Sequence, residues 1–146
     1  MKYIFLPALI AVLFIYSGCG EEINAPQDFV SGTITFNDSN LNYNGRYYAV
    51  SLFTDVSNPF SRQPVRSDSL AIVTSNGVTS AYYRITGIPS GNYYIGATLL
   101  NSSTDSLIAV LGVYGCDTTV NCANPTRVTV PNFAGTGNLN FRSKTN

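Results

Sequence analysis

The chain has 146 residues, and its eight lysines and arginines balance its eight aspartates and glutamates, so the formal net charge is zero. No basic cluster is present to hold nucleic acid. There is no histidine, so the usual base near neutral pH and the usual partner of a Ser or Cys nucleophile are both missing.

The first residues have the layout of an export signal. Lys2 gives a short basic start, 4–16 is apolar apart from Pro7 and the hydroxyl of Tyr16, and Ser17 and Gly18 are small. A membrane-spanning helix needs about 20 apolar residues. Gly18, Gly20, Glu21 and Glu22 stop this run well short of that; the alternative is a short anchor helix that is retained. Ser17-Gly18-Cys19 resembles the bacterial lipobox, departing from it at Tyr16, where an aliphatic residue is usual. The resemblance implies cleavage before Cys19 and acylation of that residue, and two or more acyl chains hold a protein stably to a membrane. The competing reading is an ordinary secretory signal with Cys19 as an incidental thiol. Gly20-Glu21-Glu22 resembles the acidic stretch that follows the lipidated cysteine in surface lipoproteins of the Bacteroidetes. The expected division is a signal peptide at 1–18, a lipidated tether at 19–28 and one domain at 29–146, held at the cell envelope, on the outer membrane.

Three cysteines are present. With Cys19 lipidated, Cys116 and Cys122 remain, and export to an oxidising compartment makes a disulfide their expected state. So short a loop gains on the order of 2 kcal/mol in the chain-entropy model. A metal pair is the alternative; the lack of histidine and of a second cysteine pair argues against zinc. No cofactor and no metal are expected.

Taken in order, 29–36 alternates Val30, Gly32, Ile34 and Phe36 against Ser31, Thr33 and Thr35, the pattern of a half-buried strand. Residues 37–45 carry turn chemistry. A second strand covers 46–54, with Tyr48, Val50 and Leu52 on one face. Pro59 and Pro64 make 55–67 irregular. A short third strand at 69–74 leads into Asn76-Gly77, the strongest short turn signal in the chain. Residues 78–86 and 92–100 form a fourth and a fifth strand, joined by a tight turn of Gly87, Pro89 and Gly91 and read as a hairpin. The apolar run 107–113 reads as a sixth strand buried on both faces. Strands at 126–130 and 138–141, joined by a turn at Gly135-Thr136-Gly137, close the chain. Many short strands with frequent turns indicate an all-β sandwich or barrel.

Three pieces resemble one family. Val30-Ser31-Gly32-Thr33-Ile34 is similar to the opening strand, x-G-x-V/I, of carboxypeptidase-regulatory-like and related prealbumin-like domains. Residues 83–93 resemble their hallmark hairpin, F-x-I/L-x-G-L-P-x-G-x-Y, and 126–141 resembles their closing strands. The resemblance implies a Greek-key β-sandwich of about seven strands with Tyr83, Ile85, Ile88, Tyr93 and Ile95 in the core. One branch of the family, the collagen-adhesin B-type stalk domains, crosslinks a lysine to an asparagine. Past the leader this chain has a single lysine, Lys144, so that chemistry is not expected.

Fold alone does not set function. The acids past the tether, such as Asp38, Asp55, Asp68, Asp105 and Asp117, are scattered through turns that favour Asp for local hydrogen bonding, so no enzyme is expected. Tyr47, Tyr82, Tyr94 and Tyr114 read as outward or at loop edges, where a ring can stack on a sugar; tyrosine is also simply favourable on an exposed strand. The sequence therefore suggests a non-catalytic envelope lipoprotein with a binding or structural sandwich. The alternatives are a carbohydrate-binding module of a surface nutrient-capture system and a partner that adds a strand to another chain. Its expected partners are the membrane, through the lipid, and a glycan or an envelope protein.

Overall fold

The computed structural model describes residues 28–54, 63–116 and 124–145. The leader, Cys19 and Cys122 lie outside the described residues. Within them the chain is all-β, with ten strands and no helix: β1 (Phe29–Phe36), β2 (Arg46–Phe53), β3 (Arg66–Ser69), β4 (Val73–Ser75), β5 (Val78–Thr86), β6 (Gly91–Asn101), β7 (Leu107–Val113), β8 (Val128–Val130), β9 (Gly135–Thr136) and β10 (Phe141–Ser143). The first sheet runs β10-β1-β5-β4 with β9 also on β1, and the second runs β3-β2-β6-β7 with β8 also on β6. Two sheets pack around one main core, as the alternation suggests. The strand count exceeds the expected seven or so, and the eight read one by one, because the expected strand at 69–74 is broken in two and the expected turn at Gly135-Thr136 is itself a strand.

Alternation sends one face of each long strand inward. Val30, Ile34 and Phe36 of β1 and Ala81, Tyr83 and Ile85 of β5 meet Tyr48, Val50 and Leu52 of β2 and Tyr93, Ile95, Ala97 and Leu99 of β6. All five positions that the family resemblance puts in the core are buried there.

The stretch 82–100 is not a hairpin. β5 lies in the first sheet and β6 in the second, so residues 87–90 carry the chain across the sandwich. Gly87, at φ +65°, turns the chain out of β5, and its amide donates to the Asp28 carbonyl at 3.0 Å. Ile88 is then buried between the layers. The Tyr93 hydroxyl donates to the Pro89 carbonyl at 2.8 Å and ties the crossing to β6. A hairpin would have set both apolar faces on one side of one sheet, in need of a further layer. The crossing places them in opposite layers of the same core.

The expected strand at 69–74 also divides. β3 pairs with β2 in the second sheet, β4 pairs with β5 in the first, and Leu70 and Ile72 cross between them, half-buried against the core. The alternation slips at Ile72-Val73: after Ile72 turns in, Val73 faces out at 62% exposure. Gly135-Thr136 is a strand on β1 and not a turn. β7 is buried on both faces only in its second half, since Ile108 is exposed. The strand buried on both faces is β6, from Tyr93 to Leu100, and its two edges are paired with β2 on one side and with β7 and β8 on the other. Its second face joins a smaller cluster of Phe53, Tyr94, Val110, Val113 and Cys116.

β9 and β10 run parallel to β1 along the same edge. Phe29 faces Gly135 and Ile34 faces Phe141, so β1 advances five residues (34 − 29) while its partners advance six (141 − 135). Asn138, at φ +60°, lies within this one-residue excess. Here the Leu139 amide donates to the Ser31 carbonyl at 3.0 Å, and the Leu139 carbonyl accepts from the buried Tyr83 hydroxyl at 2.7 Å. Burial pushes the Tyr83 phenol well above its ordinary range, with Tyr114 adding to the effect. The Leu139 backbone rests on Gly32, where a side chain would overlap its carbonyl. That contact gives the glycine of the opening motif a physical reason.

The sandwich closes on one side and stays open on the other. At the closed side β10 meets β7: Lys144 donates to the Leu111 carbonyl at 3.1 Å, and a Cβ on Gly112 would lie 2.6 Å from the Arg142 carbonyl. At the other side only the crossing at 70–72 joins the sheets among the described residues. Gly32→Ala should destabilise the fold by about 1–3 kcal/mol through overpacking. In urea this reads as a lower midpoint at unchanged slope; an unaltered midpoint would contradict the Leu139 contact.

Candidate functional site

The main core holds no candidate. Among the described residues, every buried side-chain nitrogen or oxygen has a hydrogen-bond partner, so nothing there is left for a ligand to satisfy. No group of three metal-ligating side chains occurs among them either. The oxygen-rich turn after β6 uses its groups internally. The Asn101 Oδ1 accepts from the Ser103 amide and hydroxyl at 2.9 and 2.7 Å, and the Asp105 Oδ1 accepts from the Tyr47 hydroxyl at 2.9 Å.

The four tyrosines read as outward do not form a patch. Tyr82 stands out from the first sheet at 64% exposure. Tyr47 is half-buried on the second sheet, and its phenol is pushed up first by burial and then by Asp105. Tyr94 is buried, with the Arg127 guanidinium 5.8 Å from its ring centre. Tyr114 packs edge-on to Phe141 at 6.4 Å. Tyr94 is thus corrected from the surface to a packed position, while Tyr114 is half-buried at the loop edge. Tyr94 lies on the second face of the doubly covered strand, and Tyr114 follows β7 where the two sheets close. Cys116 is buried in the smaller cluster with Tyr94.

What the sequence did not reveal is a sheet edge that stands largely uncovered among the described residues. β5 pairs with β1 along 79–86 but with β4 only along 78–80. The Gly87 amide bonded to Asp28 sets the phase of the antiparallel ladder. Counting back from it in steps of two, the amides and carbonyls of Ile85, Tyr83, Ala81 and Thr79 turn to β1. Those of Thr86, Arg84, Tyr82 and Ser80 turn the other way. The opposite edge of β1 agrees with this phase: the Ser31 carbonyl and the Thr33 amide both point away from β5, to Leu139 and to the Asn140 side chain. Ser80 faces Val73 of β4. Tyr82, Arg84 and Thr86 face no strand on that side among the described residues.

Past the end of this edge, beyond Thr86, a cavity of about 380 Å³ is lined by Val65, Arg66, Ile88, Pro89 and Tyr93 together with Thr54 and Gly87. Its lining is mostly apolar, and its one charge is positive. A signal for the edge exists in hindsight. The alternation slips at Ile72-Val73, immediately before a tight turn, so β4 had only three residues with which to cover a nine-residue neighbour.

The first sheet is also basic. None of its strands contains an aspartate or glutamate, while Arg84 and Arg142 lie on its outer face. The Arg84 guanidinium sits 4.0 Å over the Phe29 ring, a cation–π contact. No protein-family model matches the chain, and no curated protein matches it.

The two tyrosine environments separate on truncation. Tyr94→Ala should cost about 3 kcal/mol or more, as for a large buried ring, whereas Tyr82→Ala should stay within about 0.5 kcal/mol. Equal losses in chemical denaturation would contradict the placement of Tyr94.

Proposed function

We propose that this chain is a non-catalytic module, anchored to the cell envelope through a lipid on Cys19, that binds a partner protein by taking an extended segment of it as an added strand of the first sheet. The observation that carries the reading is the outward row of backbone groups at Tyr82, Arg84 and Thr86, which no strand faces among the described residues and which ends at an apolar cavity. In strand addition the backbone ladder gives affinity, and pockets for alternate side chains give specificity. An open edge is normally blunted by charge, bulges or covering loops; here the exposed slot is short and has a cavity at its Gly87 end.

The occupant is a heterologous strand. A second copy pairing antiparallel across the middle of the slot would set Arg84 against Arg84, and like charges directly opposite are destabilising. A strand with apolar residues facing the cavity and carboxylates near Arg84 and Arg66 fits both the lining and the charge. The domain is taken as a prealbumin-like Greek-key sandwich of the carboxypeptidase-regulatory-like kind. The buried hallmark residues and the role of Gly32 support that assignment. A Cys116–Cys122 bridge is proposed with it, supported by Cys116 being in the bonded, non-titrating state. The absence of enzyme activity is supported by the scatter of the acids, with Asp38, Asp68 and Asp105 exposed and apart.

Cys19→Ala should move the protein from the membrane pellet to the soluble fraction; retention with an unchanged mass would contradict the lipid anchor. Docking is tested by titrating the chain from residue 20 onward, which keeps every described residue, with a hexapeptide alternating valine and glutamate. The Tyr82, Arg84 and Thr86 amide resonances should shift. Arg84→Pro removes an outward amide, a replacement that an edge position tolerates, and should abolish the Tyr82 and Thr86 shifts while the fold persists. Equal binding by a folded Arg84→Pro variant would overturn the reading.

A further inference from the structure

We infer that the outer face of the first sheet carries a second, separate site, one that takes an acidic saccharide. Its floor is Thr33 and Thr35 of β1. Its far wall is Asn140 and Arg142, and together with Phe141 these residues line a cavity of about 410 Å³, within the usual range of about 300–1,000 Å³ for small-molecule sites. On the near side stands Tyr82, directly opposite Thr33 in the ladder, so its ring rises from the same face. The ring and the Arg142 column are two strand spacings apart, about 10 Å, a width that suits one sugar ring lying between them.

The donor set is specific. The Asn140 Oδ1 is occupied by the Thr33 amide at 2.8 Å, which leaves the other end of that amide, an NH2 donor, for a ligand. Thr33 and Thr35 add hydroxyls, and Arg142 adds a planar guanidinium suited to a carboxylate. Neither Arg142 nor Arg84 has a carboxylate partner among the described residues. The strands of this sheet contain no acid; the Asp38 carboxylate, just past β1, accepts from the Thr145 hydroxyl. Ring, hydroxyls, amide and guanidinium together match a uronic-acid saccharide: the exposed Tyr82 face stacks on the CH face of the sugar, and Arg142 holds its carboxylate. The site uses the Tyr82 side chain and not its backbone, so it stands independently of strand docking at the β5 edge.

The test is calorimetric titration of the chain from residue 20 onward with an oligogalacturonate, beside the fully methyl-esterified form of the same oligosaccharide. The acidic form should bind, weaken with rising salt, and lose tenfold or more in affinity in Arg142→Gln and in Tyr82→Ala. The ester should bind at least tenfold more weakly. Arg142→Gln should leave the valine–glutamate peptide titration unchanged, which keeps the two sites distinguishable. Lack of binding by the acidic form, equal binding of the ester, or indifference to Arg142→Gln would each overturn the inference. So would binding of the peptide through Arg142.

Discussion

One hydrogen bond fixes which way the central strand of the first sheet presents its backbone. Once the Gly87 amide is bonded to the Asp28 carbonyl, the alternation along β5 is set, and half of its peptide groups must look away from β1. β4 answers only those nearest the Asn76-Gly77 turn. The outward groups of Tyr82, Arg84 and Thr86 are therefore a consequence of ladder geometry combined with a short neighbour, not a separate feature of the surface.

The neighbour is short because the chain is needed elsewhere. Residues 70–72 leave the second sheet and bring Leu70 and Ile72 against the core, so they cannot also extend β4 along β5. The opposite flank is solved differently. There the sheets approach until backbone meets backbone, with Gly112 of β7 against Arg142 of β10, and within the first sheet Gly32 of β1 takes the Leu139 backbone in the same way. Only glycine leaves room for that contact. The sandwich thus has one sealed flank, where Gly112 lets the two sheets touch, and one flank where, among the described residues, an uncovered edge ends at a cavity.

Much of the fold was legible in the sequence because a period of two is a strong signal where one face is buried. β1, β2, β5 and β6 begin and end close to where the alternation begins and ends. Connectivity was less legible. Nothing local distinguishes a turn that returns to the same sheet from one that crosses to the other, because Gly and Pro serve both. That distinction depends on which layer the second arm joins, so the apparent hairpin at 82–100 became a crossing. The short pieces failed for a related reason: Gly135-Thr136 has turn composition, yet it pairs with Phe29 and Val30 of β1, more than a hundred residues earlier in the chain. Of the candidate site, Tyr82 was visible as an outward strand residue. Tyr94 was misread because its face of β6 is covered by a second cluster that involves residues distant in sequence. Arg142 and Asn140 carried no motif and acquire meaning only through their register with Thr35 and Thr33.

The account rests on β5 having two unlike edges, and amide hydrogen exchange read residue by residue measures that directly. If it is right, the Tyr82 and Arg84 amides exchange at rates close to those of an unstructured chain, while the intervening Tyr83 and the following Ile85 are protected to nearly the full stability of the domain. Protection of Tyr82 and Arg84 equal to that of Tyr83 and Ile85 would mean that another part of the chain already covers the edge, and would contradict it.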